Sequence, residues 1–262
     1  MAGTRRLKRG IYLLPTVFTV GNLFCGYWSI VQAFRGAIEQ AAILIVIAAI
    51  LDGIDGRIAR LTRTTSPFGV EFDSLADMVS FGVAPALLAY QWALSPLGRT
   101  GWLIPFIFVV CTAMRLARFN IQAAMGDKRF FAGLPCPAAG GTLACVAFFS
   151  PEPVRAGWLA ILMAAMVCSL GLLMVSRLRY YSFKDFDLRS RRSYLYVLPL
   201  AAVLLAIIMY PQEALLLFSS AYVISAPAYY LWGLLSRKRS HSRVRGEEVA
   251  AETEVADEPA LQ

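Results

Sequence analysis

Histidine is almost absent from this 262-residue chain, with His241 the only one, so chemistry that needs paired histidines is excluded. Charge is scarce as well. Asp, Glu, Lys and Arg make up 16% of residues against 58% hydrophobic ones, too apolar a balance for an ordinary soluble domain. The five cysteines, Cys25, Cys111, Cys136, Cys145 and Cys168, have neither metal-ligand spacing nor the pattern of a disulfide framework. Each falls within or at the edge of an apolar run, where a thiol behaves as a small hydrophobe. No small-residue cleavage site follows a short apolar core after the basic start MAGTRRLKRG. That start therefore reads as a retained cytoplasmic end, with a short interfacial helix around Arg5 to Leu14, and not as a secretory signal.

What the chain has in quantity is apolar length. The runs predict eight helices, roughly 13 to 34, 38 to 61, 68 to 94, 101 to 124, 135 to 150, 157 to 176, 194 to 210 and 214 to 235, hence an all-α, polytopic membrane helical bundle. When the spans alternate across a bilayer, all of the 25 Lys and Arg except Arg35, Arg99 and Arg155 fall on one side. The positive-inside bias then places both termini in the cytoplasm. Residues 1–12 form a basic cytoplasmic N-terminus, 13–236 the transmembrane domain and 237–262 a tail. The tail passes from RKRSHSRVR to an acidic, Ala-rich end without apolar periodicity, so it is expected to be disordered and to leave His241 solvated.

Against this apolar background the stretch from Leu51 to Pro85 carries four aspartates, Asp52, Asp55, Asp73 and Asp77. The spacings of three and four put each pair on one side of its helix. Carboxylates in a span cost several kcal/mol and persist where something compensates them, most simply a divalent cation held by oxygen ligands. Gly56 and Ala59 share the face of Asp52, and Gly69 lies one turn before Asp73. Such small residues let a bulky anion or a second helix come close. Arg57, Arg60 and Arg63 stand beside the acids as partners for phosphate. Acids, glycines and arginines together predict a metal-bridged diphosphate, and Asp77, about 12 Å into its helix, places the chemistry below headgroup level on the cytoplasmic side.

The run Asp52-x-x-Asp55-Gly56-x-x-Ala59-Arg60, eight further residues, then Gly69-x-x-x-Asp73-x-x-x-Asp77 resembles the complete signature of the CDP-alcohol phosphatidyltransferases. The resemblance implies two divalent cations, Mg2+ or Mn2+, held by Asp52, Asp55, Asp73 and Asp77, with Asp77 also the general base. It puts Gly56, Ala59, Arg60 and Gly69 on the nucleotide side of a site for a CDP-linked lipid, and it implies a homodimer. In LPTVFTVGNLFCG, Thr19 and Asn22 lie three apart on one face of the first helix. They serve either helix–helix hydrogen bonding or, by the resemblance, the nucleotide site; Thr16 stands where the family usually has asparagine.

Four further blocks, DSLADMVSFGVAPA, RLARFN, FAGLPCPAA and MVSRLRYYSFKDFD, resemble the membrane-embedded phosphatidylserine synthase branch of bacteria and archaea, while the tail takes no part. This implies CDP-diacylglycerol and L-serine as substrates in a prokaryotic cell membrane. It makes Ser74, Ser80, Arg115, Arg118, Asn120, Tyr181 and Lys184 candidates for an acceptor pocket. Arg115 and Arg118 are either positive anchors at a membrane edge or grip an anionic acceptor group through their planar guanidinium. Gly133-Leu134-Pro135-Cys136-Pro137 reads as a rigid break before the fifth helix. The basic, aromatic loop SRLRYYSFKDFDLRSRRSY has a composition also found in nucleic-acid binders, but beside spans it reads as an interfacial loop near anionic lipid headgroups, with no nucleic acid as partner. Competing readings are the same chemistry with glycerol 3-phosphate, inositol phosphate or choline as acceptor, an intramembrane prenyltransferase, and a cation transporter whose carboxylates line the ion path.

Overall fold

The computed structural model describes residues 3–62, 66–124, 133–176, 178, 180 and 205–230, with the side chains of 3–15, 59–62 and 123–124 outside that description. Among the described residues every regular element is helical: α1 (Gly3–Phe34), α2 (Ile38–Thr62), α3 (Pro67–Leu97), α4 (Arg99–Ala124), α5 (Cys136–Phe149), α6 (Gly157–Val175) and α7 (211–230), with a further helical turn at 205–209. The first six lie where the apolar runs predict them. One difference is at the start, where α1 runs unbroken from Gly3 into the first span and no separate interfacial helix precedes it. Residues 194–204 and 231–235 of the last two expected helices, and the tail, lie outside the described residues.

Four of these helices, Thr16–Phe34 within α1, Pro67–Leu97, Arg99–Gln122 within α4 and Gly157–Val175, are long and apolar enough to cross a membrane. The outward faces of α1, α4 and α6 carry Val17, Phe24, Trp102, Phe106, Trp158 and Ile161, all exposed, as a lipid-facing surface requires. Helix α2 is as long but carries Asp52, Asp55 and Arg57 near its C-terminal end. Helix α5 has 14 residues, about 21 Å at 1.5 Å per residue, short of the roughly 30 Å hydrocarbon core.

A tight hairpin joins α1 to α2. Gly36 has φ +77°, its N–H bonds Ala33 O at 3.0 Å, and Ala37 N–H reaches back to Gln32 O at 3.0 Å. This paired closure is how a left-handed glycine ends a helix. Across the hairpin the small residues Ala41, Ala42 and Ala48 are fully buried, and Ser29 Oγ donates to Ala41 O at 2.8 Å. Helix α1 lies against both α2 and α3, so it is the common neighbour of the two acidic segments.

Helix α3 begins where Ser66, in extended conformation, caps it by accepting from Gly69 N–H at 3.0 Å, with Pro67 in the first turn. Proline needs no donor there. Its middle changes winding. From Met78 to Val83 the turns are π-helical, and Ala84 N–H bonds Val79 O, five residues back. A proline inside an α-helix clashes with the carbonyl four residues before it, and Pro85 stands in that relation to Phe81. The wide turn accommodates it, and neighbouring helices close over the spot. A Cβ on Gly140 of α5 would lie 2.9 Å from Phe81 O and 3.0 Å from Pro85 Cγ, one on Gly26 of α1 would run into Ser80, and one on Gly82 would lie 3.1 Å from Thr112 of α4. Small residues at helix crossings let backbones approach where lipid gives no hydrophobic drive for association.

The break before α5 is present as expected. Pro135 is extended (ψ 139°) at its start, Gly133 has φ +100°, and Gly133 N–H and Leu134 N–H bond Leu178 O at 2.8 Å and Leu173 O at 3.0 Å. The segment is thereby tied across the C-terminal end of α6. At the opposite end, Trp92 Nε1 donates to Ser150 O at 2.8 Å and Val154 N–H donates to Trp92 O at 2.8 Å.

Candidate active site

The acids converge from two helices. Asp52 and Asp55 are in α2 and Asp73 and Asp77 in α3, and ligand oxygens of Asp52, Asp55 and Asp73 all lie within 4.8 Å of one another. Asp77 lies one turn beyond Asp73 on α3 and adjoins this group, near Asp52 and Asp73. Asp55 is buried and the other three are half-buried. Asp52 and Asp55 lie near the C-terminal end of α2, and Asp73 and Asp77 in the first turns of α3.

The donor set suits a divalent cation. It consists of hard carboxylate oxygens, and Asp73 Oδ1 is buried without a hydrogen-bond partner. A buried acceptor left in that state costs about 1–3 kcal/mol, which a bound cation removes. Like charges at these separations repel strongly unless neutralised. Space is available on their face of α2: a Cβ on Gly56, one turn from Asp52, would meet nothing within 4 Å. Gly69 serves the cap of α3 through its N–H to Ser66.

Two residues of α1 hold the carboxylates. Thr19 Oγ1 donates to Asp55 Oδ2 at 2.8 Å, and Asn22 Nδ2 donates to Asp77 Oδ1 at 3.2 Å. Both are buried, Asn22 with no exposed surface at all. Ser80 is likewise fully buried, and its hydroxyl donates to Asn22 O at 2.9 Å. That places Ser80 in the α1–α3 crossing beside Gly26, where its hydroxyl is joined to Asn22, itself the partner of Asp77.

The other acceptor candidates fall in two groups. Ser74 and Asn120 meet across α3 and α4, with Asn120 Nδ2 at 3.1 Å from Ser74 Oγ, and the same amide donates to Glu71 Oε2 at 3.3 Å. Arg115 is half-buried, donates from Nη1 to Cys136 Sγ at 3.1 Å, and keeps a buried Nε without a partner. Arg118 is half-buried and Arg57 exposed. The side chains of Ala59 and Arg60, and the residues Arg63, Tyr181 and Lys184, lie outside the described residues. Glu71 as a partner of Asn120, and Cys136 as a partner of Arg115, were not among the expected site residues. The spacing of three between Glu71 and Ser74 could have suggested the first, whereas nothing local connects Cys136 to Arg115.

Comparison with known proteins agrees with this geometry. The sequence model of the family described as CDP-alcohol phosphatidyltransferase matches residues 12–175. A CDP-diacylglycerol–serine O-phosphatidyltransferase of Helicobacter pylori is 41% identical over 215 residues, covering 82% of this chain and 89% of the relative. One of Bacillus subtilis is 37% identical over 172 residues, 65% of this chain and 91% of the relative. An archaetidylserine synthase of Methanothermobacter thermautotrophicus is 35% identical over 170 residues, 64% of this chain and 69% of the relative.

Proposed function

Since the chain belongs to the CDP-alcohol phosphatidyltransferase family, we propose that it transfers the phosphatidyl group of CDP-diacylglycerol to the hydroxyl of L-serine, giving phosphatidylserine and CMP. The observation that carries the reading is the convergence of Asp52, Asp55 and Asp73, with Asp77 adjoining, at the end of a membrane bundle. The relatives' names support serine in particular, because the lipid part differs between the phosphatidyl and archaetidyl enzymes while serine is common to them.

Asp52, Asp55, Asp73 and Asp77 would hold two divalent cations, Mg2+ or Mn2+. Bound there, the cations supply charge neutralisation of the diphosphate and of the departing CMP. Gly56, where a Cβ would meet nothing within 4 Å, belongs with Ala59, Arg60 and Gly69 to the nucleotide side, Arg60 as a bidentate partner for a phosphate. Asp77 takes the proton of the serine hydroxyl as its oxygen bonds to the lipid-bearing phosphorus. The bond from that phosphorus to the CMP oxygen breaks in the same displacement, with no covalent enzyme intermediate. Arg115 offers its unpartnered Nε edge to the serine carboxylate. Arg118, Ser74 and Asn120, with Tyr181 and Lys184, complete the acceptor side.

The surrounding arrangement belongs to the same reading: about eight spans, both termini cytoplasmic, the site open to the cytoplasmic face of a prokaryotic cell membrane, and a homodimer. Purified protein in lipid with CDP-diacylglycerol and Mn2+ is tested against serine, glycerol 3-phosphate, inositol phosphate and choline. Serine-dependent CMP release that a chelator abolishes is the expected result. Release with another acceptor alone overturns serine, and a stable radiolabelled phosphatidyl-enzyme formed from CDP-diacylglycerol without acceptor overturns the single displacement.

A further inference from the structure

Thr19 and Asn22 invite a nucleotide-binding role by their place beside the acids, yet their side chains are spent in a different direction. Each donates to one carboxylate, Thr19 to Asp55 of α2 and Asn22 to Asp77 of α3. They stand three residues apart, one above the other on α1, and α1 is the helix that touches both acidic segments. Asn22 has no exposed surface and Thr19 only 5%, so neither presents a face that a nucleotide could reach. Asn22 is itself held, since Ser80 Oγ donates to its carbonyl at 2.9 Å and Gly26 brings α1 against Ser80. Asn22 Oδ1 remains buried without a partner, a cost of about 1–3 kcal/mol that is offset only if the amide's place on Asp77 matters more than its own satisfaction.

We infer that Thr19 and Asn22 are positioning residues, which orient Asp55 and Asp77 from a shared helix face so that carboxylates of α2 and α3 converge, and that neither touches the nucleotide. The inference rests on the reading of the acids as cation ligands given above. A carboxylate pinned through one oxygen by a neutral donor keeps its other oxygen aimed and its charge intact. Partners of this outer kind typically change metal affinity or activity by about 10–100-fold when removed.

The test uses the full chain in lipid nanodiscs and reads Mn2+ binding by electron paramagnetic resonance without any substrate, then CDP binding at saturating Mn2+. Thr19→Val, which keeps the shape and removes the hydroxyl, should weaken Mn2+ by about 10-fold or more, and Thr19→Ser should restore it. Asn22→Leu should lower kcat at saturating Mn2+ while the KM for CDP-diacylglycerol stays within twofold. Ser80→Ala, which loosens Asn22 and leaves every acid in place, should lower kcat in the same direction by less, and it stands in should Asn22→Leu not fold. Weakened CDP binding in Thr19→Val or Asn22→Leu, with Mn2+ affinity unchanged, overturns the inference, and so does unchanged kcat in Ser80→Ala together with unchanged Mn2+ affinity in Thr19→Val. Because the Mn2+ readout needs no acceptor, it stands if the acceptor is not serine. Absence of Mn2+ binding in the unsubstituted protein would instead sink the cation reading itself.

Discussion

The two halves of α3 are built for opposite purposes. From Pro67 to Asp77 the helix is regular and half-open, with a single buried residue, Ala76, and Gly56 of α2, on the face of Asp52, has nothing within 4 Å of a would-be side chain. From Met78 to Val83, and again from Tyr90 to Leu94, the winding widens, and Ser80, Phe81, Ala84 and Leu88 are fully buried. Glycines of α1 and α5 there press directly on its backbone. The same residue type thus leaves space for a ligand in one half and removes space between helices in the other. A charged site inside a bilayer needs both, since the open half can be polar only if the closed half holds it still.

Substitutions should separate the halves. The largest effect is expected at the open end: Asp77→Asn should lower serine-dependent CMP release by about 10²–10⁴-fold, the usual weight of a general base, with the thermal melting of the detergent-solubilised protein unchanged. Chelation should abolish the same release in the unsubstituted protein, and added Mn2+ should recover it without refolding. In the closed half, Gly140→Val forces a side chain to within 2.9 Å of Phe81 O. Overpacking of this kind costs about 1–3 kcal/mol, to be read as a lowered melting temperature and less folded protein. Gly56→Ala is the sharper probe, because its Cβ meets nothing. Stability should hold or rise by up to about 1 kcal/mol, alanine being the better helix former, while the KM for CDP-diacylglycerol rises several-fold; an unchanged KM would remove Gly56 from the nucleotide side. The smallest effect on turnover is expected far from both halves. Gly36→Ala at φ +77° should cost about 1 kcal/mol of stability and leave turnover per folded molecule untouched.

Local pattern carried much of this molecule. Apolar runs placed six helices to within a few residues, apart from the start of α1, because a helix in lipid must satisfy its own backbone and so declares itself by length and composition. The spacing of Asp52 with Asp55, and of Asp73 with Asp77, foretold two paired faces, since positions three and four apart are neighbours on any helix. The break at Gly133 and Pro135 was legible for a similar reason, proline and glycine restricting or freeing the backbone wherever they stand. The short helix α5 was placed to within one residue at each end, Cys136–Phe149 against an expected 135 to 150, because the same prolines mark its start.

Contacts between distant segments were a different matter. Thr19 meets Asp55 across 36 residues, Asn22 meets Asp77 across 55, and Ser80 meets Asn22 across 58. Periodicity showed that Thr19 and Asn22 share a face; it held no information about which helix that face would meet. Arg115 against Cys136 and the wide turn around Phe81 belong with them. Sequence by itself determined the helices, the acid pairs and the family signature, because each of these is written in spacing along one segment. Tertiary structure alone decided which carboxylate each α1 side chain would hold, and that Ser80 would fill a helix crossing, because those outcomes depend on how closely small residues such as Gly26 and Gly140 let separate helices approach.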